Sequence, residues 1–232
     1  MTFGKSCRVR PLKDLAEALR WGGQGYPEYQ GFLHAAVFTP VVQAYRFYAD
    51  GTEDGSSPLA AQDTDVSVLT DTNQKVHLRY LIQETGGAAG ATTDDYQLQY
   101  SKNSGAFTNV TASSTNVQAD TGSSLTDAGA TTNRATNGIS DGTGSFVAGQ
   151  QEEGDGQIAN HQLTASNFTE HVWAVLLIAA DVANGNTLDF RVTLNGGSPG
   201  MTNSVVPTIT ITKTPTTALK DPIGRGVVPW LR

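Results

Sequence analysis

The stretch YQLQYSKNSGAFTNV, residues 96–110, decides the fold class. Tyr96, Leu98 and Tyr100 alternate with polar residues, so an extended segment here has one apolar and one polar face. KNSG supplies turn chemistry, and Phe107 is expected to resume the buried face in a returning strand. The reading is a β-hairpin. Outward from it, strand-length segments of the same kind recur as QAYRFYA (43–49), QKVHLRYLIQE (74–84), QIANHQLT (157–164), TLDFRVTL (187–194) and VVPTITIT (205–212). HVWAVLLIAA (171–180) contains the longest apolar run, VWAVLLIAA (172–180), short enough for a fully buried strand, with Trp173 as a core residue. Clusters of Gly, Asn, Asp and Ser separate these segments, and Pro207 is expected on an edge or at a strand start. The expected fold is all-β, an antiparallel sandwich of jelly-roll or immunoglobulin-like type over residues 43–213.

The flanks differ. Residues 1–42 read as an amino-terminal arm: PLKDLAEALRWGG places Leu12, Leu15, Ala16 and Leu19 on one helical face between Pro11 and the Gly22–Gly23 stop, and an irregular aromatic stretch follows. Residues 214–232 read as an extended carboxyl-terminal arm that ends in GRGVVPWLR. Burying each large apolar side chain is worth about 1.5–3 kcal/mol, so this apolar hook is expected to dock on its own domain or on a partner. Leu12, Leu15, Leu19, Trp21, Val227, Val228, Trp230 and Leu231 are the candidate partner-binding residues. Between Asn109 and Gly144 large apolar residues are scarce, which predicts a long surface excursion with one short strand, pinned by Val117 and Leu125.

Composition narrows the function classes. The 232 residues carry a net charge of −7, and no basic cluster occurs, which argues against nucleic acid as partner. The single cysteine, Cys7, permits no intramolecular disulfide. Neither a secretory leader nor about 18 consecutive apolar residues appear, so the expectation is folding in a cytoplasm with no membrane span.

The motifs reduce to turns. GGSPG (196–200) matches a nucleophile-elbow pattern around Ser198, but a strand follows it and no histidine lies beyond His171. DGTEDG (50–55) opens like a calcium loop, yet its twelfth position is Ala61, so a hairpin turn with solvated carboxylates is expected. EEGDG (152–156) reads the same way. His34, His77, His161 and His171 show no zinc spacing, and His77 reads as a sheet-face residue. Asp94 and Asp95 are the carboxylates a sandwich glycosidase would use. No catalytic residue, metal or cofactor is expected, and the chain reads as a non-enzyme.

AYRFYADGTEDGSSPLAAQDTDV, VHLRYLIQETGGAAGATTDDYQLQYSKNSGAFTNV, SLTDAGATTNR, GTGSFVAGQ and ADVANGNTLDFRVTLNG followed by VVPTITITK, in this order, resemble a family of virion-associated proteins of tailed bacteriophages and prophages. The resemblance covers roughly residues 43–213. It implies a particle component assembled in the host cytoplasm and located in the virion, as a head decoration or a minor tail or connector protein. The implied partners are other virion subunits, capsid, tail or fibre, in a symmetric homo-oligomer. The terminal arms lie outside the match and are expected as contacts from their own apolar residues. The alternative function is a glycan-binding adhesin module on the virion, with Tyr96 or Phe107 stacking on sugar rings of a host surface.

Overall fold

A computed structural model describes residues 35–196 and 200–215 of the chain. The chain divides into two units, residues 1–35 and 36–232, and the described part of the second is a β-sandwich. In chain order its strands are β1 (Pro40–Ala49), β2 (Val66–Leu69), β3 (Gln74–Glu84), β4 (Tyr96–Lys102), β5 (Thr108–Asn109), β6 (Val117–Ala119), β7 (Phe146–Val147), β8 (Gln151–Glu152), β9 (Gln157–Ile158), β10 (Phe168–Leu177), β11 (Thr187–Leu194), β12 (Thr202–Asn203) and β13 (Thr208–Thr212). The helical content of the described residues is one 3-10 turn, Ala179–Asp181.

One sheet runs β12-β1-β3-β10-β6, with β7 and β8 also on the free side of β10. The other runs β2-β13-β11-β4-β5, with β9 on β4. The long pairings, β1 with β3, β3 with β10, and β4 with β11, are antiparallel as expected. Four short ones are parallel: β1 with β12, β10 with β7, β10 with β8, and β13 with β2. The sheets are therefore mixed, because short segments from long connections fill strand edges that the hairpins leave open.

The core lies where the inner faces meet. Phe47, Leu78, Tyr80, Trp173, Leu98 and Phe190 are all fully buried there. Register between β1 and β3 shifts between Val42 and Ala44. Gln43 is the extra residue of a bulge, so inward positions pass from Val42 to Tyr45 and Phe47. Pro207 immediately precedes β13, a place where its missing N–H costs no ladder bond.

β10 has the double burial its apolar run predicts; of its ten residues only Leu176 is not buried. The next three residues leave the strand for the 3-10 turn. QIANHQLT was expected to be a full strand, but only Gln157–Ile158 pairs. The rest turns away so that His161 can reach Asp94, its N–H donating to that carbonyl at 2.9 Å. The excursion after Asn109 contains the expected short strand, β6, and buries both Val117 and Leu125.

Candidate interaction surfaces

The expected partner-binding residues Leu12, Leu15, Leu19, Trp21, Val227, Val228, Trp230 and Leu231 lie outside the described residues, as do the predicted helix, Cys7 and Ser198. The surfaces that can be built from side chains belong to the sandwich.

The hairpin that fixed the fold class corrects one expectation. β4 turns back through Asn103 and Ser104, both with left-handed backbone, and pairs with β5. The buried face is resumed by Val110 and not by Phe107. Phe107 stays half-exposed outside the sandwich, where the Arg191 guanidinium lies 4.1 Å from its ring centroid. Arg191 Nε donates to Gln99 Oε1 at 2.8 Å, and Gln99 Nε2 donates to Asn109 Oδ1 at 2.8 Å. Phe107 and Arg191, with Met201, Thr202, Asn203 and Val206, line an open groove of about 530 Å³. Tyr96, the other aromatic expected on the surface, is fully buried. Its position on the inner row of β4 leaves no access to a ligand.

A second groove, of about 480 Å³, lies where the two sheets meet at β2. β2 pairs on one side with β13, and its other side meets no strand among the described residues. Val66 and Val76 form an apolar floor beneath Leu59 and Leu69, which are 44% and 54% exposed. Single exposed leucines are ordinary on a protein surface; two beside an open strand edge and a groove of mixed lining, with Asp65 and Lys75 among its polar residues, suit another chain.

The outer face of the β1-β3-β10 sheet is covered. Residues 50–65 and 120–145 pack across it, and beneath them lies a polar cluster centred on Arg79, which is 1% exposed. Arg79 donates to Glu170, to the Thr132 carbonyl, and to Glu53 Oε1 at 2.5 Å. Glu53 also accepts from the Thr132 N–H at 3.1 Å. The DGTEDG turn therefore forms as expected, with Gly55 and Ser56 N–H groups donating to Thr52. Its Glu53, however, is a largely shielded ion-pair partner of Arg79 and not a solvated carboxylate, whereas Asp50 and Asp54 are exposed. His77 sits on this same face as a sheet residue, fully buried, with Nε2 3.2 Å from Asp50 Oδ1. Burial lowers the imidazole pKa despite that carboxylate.

The fold brings His161 and His171 together, with ring centroids 4.5 Å apart and Tyr96 against both. Their backbone partners set the tautomers. The Gln150 N–H donates to His171 Nδ1 at 3.0 Å, so the neutral ring carries its proton on Nε2. His161 Nε2 lies 2.8 Å from the Ala148 carbonyl and donates to it, which leaves Nδ1 as a lone pair. Burial holds both pKa values below the usual range, with His161 adding to the effect at His171. Beside them Glu152 closes the EEGDG turn, accepting from Asp155 and Gly156 N–H groups at 2.9 and 2.8 Å. Burial outweighs those bonds and pushes its carboxyl up to about 7.

Asp94 and Asp95 act as loop caps. Asp94 accepts from the Ala91 N–H and the Asn195 amide, and Asp95 accepts from the Asn160 N–H. Among the described residues no cluster of three or more His, Cys, Asp or Glu is placed to hold a metal ion. No family model, curated protein or solved structure matches the chain.

None of these partnerships except the hairpin was legible beforehand. Arg79 and Glu170 are 91 residues apart, and alternation alone assigns both to a solvent face. The available signal was one arginine and one glutamate flanked by the large apolar residues of two long strands, Leu78 and Tyr80 in QKVHLRYLIQE and Phe168 and Val172 in FTEHVWAVLL.

Proposed function

We propose that this chain is a non-enzymatic structural component of a tailed-phage particle, binding neighbouring virion subunits as a head decoration or a tail or connector protein. The observation that carries the reading is the β2 edge. There an unpartnered strand side among the described residues lies next to a groove with an apolar floor of Val66 and Val76, polar side chains such as Asp65 and Lys75 in its lining, and Leu59 and Leu69 exposed. Such an edge accepts an extended segment by strand addition, with main-chain hydrogen bonds giving affinity and the groove taking alternate side chains. In a symmetric particle many such contacts act together, so each can be weak. The resemblance of residues 43–213 to virion-associated proteins supplies the setting.

Light scattering on the full chain is the test. A symmetric oligomer is expected at tens of micromolar, and the double variant Leu59→Glu, Leu69→Lys is expected to dissociate it. Both positions are exposed, so the fold survives the change. A parent chain that stays monomeric at every concentration, with slow hydrogen exchange along β2, would show the edge already sealed within one molecule and would defeat the proposal.

A further inference from the structure

We propose that the groove on the outer face of the β11-β4-β5 sheet binds a carboxylate-bearing sugar, clamped by Arg191. The guanidinium is fixed before any ligand arrives. One face lies on the Phe107 ring at 4.1 Å, and Nε is tied to Gln99, which is itself tied to Asn109. Arg191 has no ion-pair partner among the described residues. Asp189, two residues along the same strand, accepts instead from the Thr208 hydroxyl at 2.9 Å. A held, unpaired guanidinium in a chain of net charge −7 is a planar two-point receptor for a carboxylate.

The rest of the groove selects the carrier of that carboxylate. Thr202 lines the groove and is exposed with its hydroxyl. That hydroxyl suits the polar edge of a sugar ring, while Val206, 47% exposed, gives an apolar wall for its C–H edges. Peptide addition is disfavoured because the backbone around the groove is already engaged. The Val192 N–H and carbonyl both bond the Asn203 side chain, the Phe190 N–H bonds the Pro207 carbonyl, and β12 pairs with β1. Recognition therefore falls to side chains, and these suit an acidic saccharide better than an extended peptide. The inference is independent of the β2 edge and of oligomer formation.

Calorimetric titration of the full chain with trigalacturonate tests it, with its methyl ester and hexaglutamate as comparisons. Saturable binding of trigalacturonate is expected, at least tenfold weaker for the ester. Arg191→Lys, which keeps the charge but loses the planar clamp, is expected to cost at least tenfold, and Phe107→Leu a smaller factor, with unfolding midpoints unchanged. Absence of saturable binding of both trigalacturonate and N-acetylneuraminic acid at tens of millimolar overturns the proposal. So does equal affinity for the ester, or tighter binding of hexaglutamate, which would mark an acidic-peptide surface.

Discussion

At the scale of single residues, Gly156 ties the two sheets together. Its carbonyl accepts from the Leu98 N–H at 2.9 Å, the Gln97 amide at 2.9 Å and the Trp173 indole at 3.1 Å, and its N–H donates to Glu152. Its φ is +77°, and a Cβ there would lie 2.3 Å from the Val110 carbonyl oxygen. Gly156→Ala thus combines a left-handed backbone with a clash against main chain, and is expected to cost more than about 2 kcal/mol in denaturant unfolding. Glu152 answers to pH. Burial pushes its folded carboxyl up to about 7 from the ordinary glutamate value of about 4.5, so between those values the folded state holds more protons. The parent therefore loses stability as pH rises through that window. Glu152→Gln keeps the acceptor oxygen and removes the charge. It is expected to be more stable than the parent by roughly 1–3 kcal/mol at pH 8 and to match it near pH 4, as read from urea midpoints.

At the scale of elements, β10 is served along its free side by three short segments in turn: β7 at Phe168, β8 at Val172 and β6 from Val175. His161 and His171 clasp the connection between β7 and β8 by holding Ala148 and Gln150. Both rings are neutral in the fold, with pKa values lowered by burial. The unfolded chain takes up protons first, so their contribution is complete above about pH 6.5 and is lost as pH falls toward the folded values. His161→Gln keeps a donor at the place of Nε2. It is expected to flatten the fall in stability from pH 6.5 to pH 5, measured by urea unfolding at a series of pH values. An unchanged slope would locate the acid sensitivity elsewhere. The covering excursion is tested at Ile139, which is 4% exposed in a small cluster with Leu81, Ala44 and Phe168. Ile139→Ala is expected to cost about 2–4 kcal/mol, as a core position does and a solvated loop does not.

At the scale of the whole molecule, the two outer faces differ. One is roofed by residues 50–65 and 120–145 over Arg79, Glu170 and His77; the other carries the Arg191 groove. Removing one partner of the buried cluster leaves its opposite charge without compensation. Glu170→Ala is expected to destabilise the chain by about 3–5 kcal/mol in equilibrium unfolding. By contrast Arg191→Lys, on the open face, is expected to leave stability within about 0.5 kcal/mol.

The all-β class, the hairpin at residues 96–110, the doubly buried β10 and the anchors Val117 and Leu125 were legible in the amino-acid order. Each depends on periodicity or on turn residues a few positions apart, and such local preferences are written along the chain. Phe107 shows where that reading ends. Alternation placed it in the core, but the turn returned the strand in a register that buries Val110 and leaves Phe107 to Arg191. The same holds for Arg79 with Glu170, for the pair His161 and His171, and for the β2 edge. Partners separated by tens of residues, and the cover over an otherwise polar face, are fixed by how the sheets and connections pack. Only the tertiary structure decides which polar side chains leave water and which strand edge stays open.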